Sequence, residues 1–312
     1  MVDGIYLAFD VGGTSIKAGA IDAFGQVLEH TLSHYESKAH ESAAKIFDHF
    51  VHIAADLLKQ ADPDGQKRIA GIGYAFPGPF DYEQGISYIH GLNKFEALYG
   101  MRVGEQLLER MRSHPMIADR LHSGSLLRFE NDAALFAMGE AHYGQAATSR
   151  RAVCLTLGTG IGSGFIEDGC LIRHRDDVPD NGWVYHLPYR ASIADDYISR
   201  RGLLGLAREM GIDLKDRDVK GLADAASRGD KALILLFDTF GIRMAETLEK
   251  TLQAFRPDIV VLGGQISKSG DLFVPSFRHE LIHKGIHSSV AVSGDTLRST
   301  LLGIYHLLQA PG

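Results

Sequence analysis

The chain writes one short pattern twice. Residues 7–22, LAFDVGGTSIKAGAID, run apolar to Asp10, break at Gly12-Gly13-Thr14, and resume as a second apolar run. Residues 152–172, AVCLTLGTGIGSGFIEDGCLI, repeat the arrangement. An apolar strand meets a Gly158-Thr159-Gly160 turn, and a second strand, a turn at Glu167-Asp168-Gly169 and a third strand follow. Each half of the chain is therefore expected to open on the same strand–turn–strand unit.

The intervening pattern supplies helices. Ala43, Ile46, Phe47, Phe50, Val51, Ala54, Leu57, Leu58 and Ala61 recur at helical spacing until Pro63-Asp64-Gly65 ends the run. A second helix fits Leu233, Leu236, Phe237, Phe240, Met244, Leu248, Leu252 and Phe255, closed by Pro257. The last fits residues 295–309, DTLRSTLLGIYHLLQ. Strands are expected at Ile5–Asp10, Ser15–Asp22, Gln26–His34, within IAGIGYAFPGPF (69–80) and within DIVVLGG (258–264). Strands alternating with helices indicate a layered α/β fold.

With 312 residues, 45% of them hydrophobic, the chain is long enough for two domains. A net charge of -7 argues against a nucleic-acid surface. No apolar run reaches the ~18 residues of a membrane span. The N-terminal residues lack a secretory pattern, so a soluble, cytoplasmic protein is expected. Cys154 and Cys170 are the only cysteines, too few for a disulfide framework or a cysteine zinc site.

A glycine turn brings backbone N–H groups close to an anion, because no Cβ blocks the approach. Gly12, Gly13 and Thr14 form one such set, and Gly158, Thr159 and Gly160 a second; two of them could grip one polyphosphate. Asp10, at a strand end, would stand near a phosphate-bound Mg²⁺. The competing reading is two ordinary hairpin turns, where Gly and Asp are common. Gly263-Gly264 after DIVVL either lets a flat adenine approach the backbone or simply connects strand to helix. Lys17 either approaches a phosphate or is an exposed strand lysine. In FENDAALFAMGEA (129–141), Asn131 and Asp132 precede a helical run and suit capping. They equally suit an acid–amide pair: Asp132 as the base for a hydroxyl attacking a γ-phosphate, Asn131 holding a neighbouring hydroxyl as donor and acceptor at once.

Together FDVGGTSIKAGAID, LTLGTGIGSGF, VVLGGQIS, AFPGPFD and ENDAALFAMGEA resemble the motifs of the ROK family (repressors, open reading frames and kinases), a branch of the actin-like ATPase superfamily. The resemblance spans nearly the whole chain. It implies the two-domain actin-like ATPase (ribonuclease H-like) α/β fold with a cleft. Residues 1–120 with 296–312 would form one domain, and 121–295, with Asp132, the other. It implies an ATP-dependent kinase acting on a hexose or hexose derivative, with Mg²⁺ held at Asp10 through water and Asp132 as general base. Gly12, Gly13, Thr14, Gly158, Thr159, Gly160, Gly263 and Gly264 would meet ATP. Gly78, Asn131, Asp132, His186 and Asp195 would meet the sugar. A homodimer is also implied.

The chain departs from the family pattern at two motifs. The G-E-x-G-H segment reads GWVYH, Gly182–His186, so Trp183 replaces a sugar-binding glutamate while His186 is kept. The cysteine zinc motif that normally follows is replaced by HLPYRASIADDYISRRG, and no structural zinc is expected. There Asp195 aligns with another sugar-contacting glutamate, although Asp196 is adjacent. A bulky indole in place of a carboxylate implies altered sugar choice, a substituted hexose or a glycoside rather than free glucose. Two other functions fit the family: a sugar sensor without catalysis, and a transcriptional repressor. The second is disfavoured by the negative charge and by the few residues that precede the first phosphate motif.

Overall fold

The first repeat folds into a hairpin: β1 (Gly4–Val11) and β2 (Ser15–Ile21) pair antiparallel, with Asp10 opposite Lys17 and Val11 opposite Ile16. β3 (Ser33–Glu36) lines up antiparallel on β2, α1 (Ala43–Ala61) crosses over, and β4 (Arg68–Ala75) returns parallel to β1. A two-residue ribbon, β5 (Phe80–Asp81) with β6 (Ile86–Ser87), and α2 (Val103–Ser113) lead to β7 (Leu121–Glu130), parallel to β4. The sheet order is β3-β2-β1-β4-β7. α3 (Asp132–Tyr143) starts directly beyond β7.

The second repeat gives β8 (Arg151–Leu157), β9 (Ile161–Glu167) and β10 (Cys170–Ile172). A small ribbon, β11 (Pro188–Tyr189) with β12 (Ser192–Ile193), precedes helices α4 (Arg200–Glu209), α5 (Val219–Ser227) and α6 (Lys231–Phe255). β13 (Ile259–Gly263), α7 (Val274–His283), β14 (Ser289–Val292) and α8 (Thr296–Gln309) complete the chain. This sheet has the order β10-β9-β8-β13-β14, antiparallel across the hairpins and parallel from β8 onward. Both repeats therefore nucleate sheets of identical topology.

These elements come from a computed structural model that describes residues 4–215 and 217–310. They divide into two units, Met1–Leu135 with Thr300–Gly312 and Phe136–Ser299. The first break falls later than the expected residue 120, and Asp132 groups with the first unit. The reason is hydrogen bonding: β7 pairs along β4 as far as Ala75–Glu130, so the strand end carries Asn131 and Asp132 with the first sheet. Residues 1–3 and 311–312 of the expected first domain lie outside the described residues.

Packing explains why α8 returns to the first unit. Gly71 and Gly73 of β4 have no side chains to hold a helix off. A Cβ on Gly73 would come within 2.3 Å of Ile304 Cγ2, and one on Gly71 within 3.1 Å of Leu308 Cδ2. On α1, Ile46, Phe47, Phe50, Ile53, Leu57 and Leu58 are buried in a core shared with Leu7, Phe9 and Tyr74. Each such large apolar side chain contributes about 1.5–3 kcal/mol. In the second unit α6 buries Leu236, Phe237, Phe240, Met244 and Leu248 in the core with Val260 and Leu262 of β13.

The expected strand Gln26–His34 is shorter in the structure. Only Val27 bridges to Ile21, a single helical turn occupies Glu29–Thr31, and extended pairing resumes at Ser33. Thr31 causes the interruption: its hydroxyl donates to Leu28 O at 2.6 Å and accepts from the Ala20 N–H at 2.9 Å, so it takes the place of a strand partner. No helix among the described residues is long and apolar enough to cross a membrane.

Candidate active site

In the first unit the β1–β2 register sets Asp10 and Lys17 side by side, Nζ to Oδ2 3.4 Å. Burial pushes the Asp10 carboxyl above its ordinary range, Lys17 pulls it down, and the charge of Asp132 pushes it up again. Two carboxylates, Asp10 and Asp132, thus share one electrostatic neighbourhood although they are far apart in sequence. The hairpin tip closes with Gly12 N–H on Ser15 O at 3.0 Å. Ser37 clips it from the side: its hydroxyl donates to Gly13 O at 2.6 Å and its N–H to Thr14 O at 3.1 Å. Thr14 is exposed at the tip.

Asn131 and Asp132 serve as a helix start, as capping physics requires. Asn131 Oδ1 accepts from the N–H groups of Ala133 (3.1 Å) and Ala134 (3.2 Å), and Asp132 Oδ1 accepts from Ala133 at 2.9 Å. The two sequence readings are compatible for Asp132 and only half compatible for Asn131. The Asn131 oxygen is spent on the cap, so its side chain is left as a donor alone. Asp132 is exposed, and among the described residues no ion pair reaches its carboxylate. Gly78 belongs to the loop after β4, which Phe76 N–H ties to Glu130 O at 2.9 Å.

In the second unit the Gly158–Gly160 turn is held from behind. Ile161 N–H donates to Asp195 Oδ1 at 2.7 Å, Arg201 donates to Asp195 Oδ2, and Arg200 N–H donates to Gly158 O at 2.9 Å. Asp195, expected at the sugar, therefore has both carboxylate oxygens engaged, one by the glycine turn and one by an arginine. Its own N–H reaches Tyr185 O at 3.0 Å, which joins it to the GWVYH loop. That loop is pinned by Ser163, whose hydroxyl donates to Gly182 O (2.6 Å) and accepts from Val184 N–H (2.9 Å). On it Trp183, Tyr185 and His186 form an aromatic row, with ring centroids 5.9 and 5.1 Å apart.

The glycines owe their identity mostly to the chain itself. A Cβ on Gly12 would meet Ser15 O at 2.9 Å, on Gly160 Asp195 Oδ1 at 2.9 Å, on Gly263 the Phe136 ring at 2.5 Å, and on Gly264 Leu157 O at 2.4 Å. Gly264 also has a φ of +89°, with its N–H on Thr296 Oγ1 at 2.9 Å. At these four glycines the side-chain direction is already occupied by protein atoms. Gly158 differs, since its Cβ direction meets only Gly160 O, at 3.9 Å. Gly13 has a neighbour outside every motif above, Lys94, whose Cδ would lie 3.0 Å from a Cβ there. Only a contact across 80 residues of sequence makes Lys94 visible, and no motif marks it.

The chain matches the sequence model of the ROK family over residues 6–298. It belongs to the ROK family. It is 25% identical to a glucokinase of Thermotoga maritima, with 98% of this chain and 92% of that one covered. It is also 25% identical to an N-acetyl-D-glucosamine kinase of Haemophilus influenzae, with 86% of each covered. Among solved structures, a ROK family glucokinase from Streptomyces griseus in complex with glucose and AMPPNP superposes with a TM-score of 0.72. The identity is 20%, and 97% of this chain and 99% of that one are covered. The ROK fold, the mixed α/β actin-like ATPase fold, is thus the fold of this chain.

Proposed function

We propose that this protein is an ATP-dependent sugar kinase that phosphorylates a hexose or hexose derivative at a hydroxyl group. The observation that carries the reading is Asp132, an exposed carboxylate without an ion-pair partner among the described residues, fixed at the start of α3 and within electrostatic reach of Asp10 beside a glycine turn. The names of its ROK relatives, glucokinase and N-acetyl-D-glucosamine kinase, support the sugar as acceptor.

In this reading Asp132 accepts a hydrogen bond from the sugar hydroxyl and takes its proton as the oxygen attacks the γ-phosphorus of ATP. A new O–P bond forms, the bond from γ-phosphorus to the β-γ bridging oxygen breaks, and ADP leaves. Asn131 donates its amide N–H to a neighbouring hydroxyl and fixes the orientation of the ring. The N–H groups of Gly12, Gly13 and Thr14, and of Gly158, Thr159 and Gly160, offer neutral donors to phosphate oxygens. Gly263 and Gly264 shape the strand end that meets the nucleoside. Gly78 and His186 line the sugar side.

The donor chemistry of Asp10 fits Mg²⁺, which takes one or two protein carboxylates and keeps several waters rather than filling an all-protein cage. Bound there, Mg²⁺ would neutralise charge on the phosphate oxygens. A cytoplasmic, homodimeric enzyme completes the reading on family grounds. The test is an ADP-release screen with Mg-ATP over hexoses, amino sugars and β-glycosides. At least one sugar is expected to stimulate release well above the water background; a flat panel would remove the kinase reading.

A further inference from the structure

Lys94 lies along the first glycine turn. Its Cδ, Cβ and Cγ are 3.0, 3.6 and 3.9 Å from the position a Cβ on Gly13 would occupy, and its ammonium is two bonds past Cδ. The side chain is half-buried, yet among the described residues it makes no hydrogen bond and no ion pair. Lys17, on the same hairpin, is paired with Asp10.

The backbone is bent to deliver it. Asn93 and Phe95, on either side, both have a φ of +53°, a left-handed conformation that asparagine tolerates and phenylalanine avoids. Packing compels it at Phe95. The ring is fully buried, 6.4 Å from Phe50 and 5.4 Å from Phe76, and its N–H donates to Ala39 O at 2.7 Å. Asn93 N–H is held by Glu96 Oε1 at 2.9 Å. A strained loop anchored on both sides of Lys94 thus holds, beside a glycine turn, a cation without a partner among the described residues.

We propose that Lys94 is a further phosphate-binding residue, whose ammonium meets the terminal phosphoryl oxygens of a nucleoside triphosphate at the Gly12–Thr14 turn. This rests on the kinase reading. The turn offers neutral amides only and Lys17 is already paired with Asp10, while the Asp132 carboxylate lies in the same neighbourhood as the polyanion. A lysine supplies a compact point charge on a flexible stem, suited to following a phosphoryl group as it moves from donor to acceptor. Gly13 is then glycine because the lysine stem, rather than the phosphate, occupies its side-chain direction.

The test measures equilibrium binding of AMPPNP and of AMP, with Mg²⁺, to wild type, Lys94→Met and Lys94→Arg, alongside ADP release with the best sugar. Methionine keeps the stem and removes the charge. Lys94→Met is expected to weaken AMPPNP about ten- to a hundredfold while AMP binding holds, and Lys94→Arg to recover most of the loss. Equal AMPPNP affinity in Lys94→Met and wild type, equal losses for AMPPNP and AMP, or no AMPPNP binding by wild type would overturn the assignment. If wild type transfers phosphate and Lys94→Met binds AMPPNP normally, the assignment fails and the kinase reading stands. If AMPPNP binding depends on Lys94 but no sugar is phosphorylated, the kinase reading fails and the assignment stands.

Discussion

Replacing Asp195 separates two roles that the same carboxylate could play. Its Oδ1 accepts from the N–H of Ile161, a residue only 4% exposed, at 2.7 Å, and its Oδ2 is held by Arg201. A hydrogen bond from an amide to an ionised group is worth about 1.5–3 kcal/mol. The pair with Arg201, whose side chain is 60% exposed, adds only about 0–1 kcal/mol. Asp195→Ala therefore releases the phosphate turn at a cost of about 2–3 kcal/mol, expected as a 30- to 150-fold fall in kcat/KM for ATP. Asp195→Asn keeps an oxygen for Ile161 and loses the charge, so about 1 kcal/mol, or roughly fivefold, is expected. Steady-state kinetics with ATP and sugar varied in turn would measure both, and the KM for sugar should stay within about twofold of wild type in each variant, a change of under half a kcal/mol. A rise confined to the KM for sugar, with ATP parameters intact, would refute this assignment and return Asp195 to the sugar.

Two stability predictions are independent of any ligand. Hydrogen bonds from Arg151 and then Arg175 hold the Glu167 carboxyl down to about 2, against 4.5 unperturbed. The stabilisation is complete above 4.5 and is lost as pH falls toward 2. Thermal unfolding from pH 5 to 2 should show that loss, and Glu167→Gln should flatten it. Gly303 sits where a Cβ would lie 1.9 Å from Leu135 O, whereas Gly205, inside α4, meets nothing within 4 Å. Gly303→Ala should destabilise by about 1–3 kcal/mol or more. Gly205→Ala should stabilise by about 0.5–1 kcal/mol, and calorimetry on the two would read the contrast.

Elements with strong periodicity were legible in the sequence: α1, α6 and α8 end within a residue or two of the expected limits, and both hairpins form where the glycines stand. The repeat was legible as two hairpins, but the identity of the two sheet orders was not, because β4, β7, β13 and β14 join their sheets through pairings remote in sequence. Thr31 escaped notice because a side chain that replaces a strand partner leaves no periodic trace. The family motifs marked Asp10, Asn131 and Asp132, and the structure adds their hydrogen-bond and ion-pair partners. One oxygen of Asn131 is spent on a cap that local rules do anticipate. Asp195 and Lys94 show what a motif leaves out. The hydrogen bond of one and the packing of the other involve neighbours 34 and 81 residues away, Ile161 and Gly13.

The general-base role of Asp132 is tested most directly by phosphoryl transfer from Mg-ATP to the best sugar, wild type against Asp132→Asn, with AMPPNP binding measured on the same samples. The amide keeps an acceptor for Ala133 and cannot take a proton. Transfer is expected to fall about 10²- to 10⁴-fold while AMPPNP affinity is unchanged. Transfer at the wild-type rate by Asp132→Asn would contradict the account.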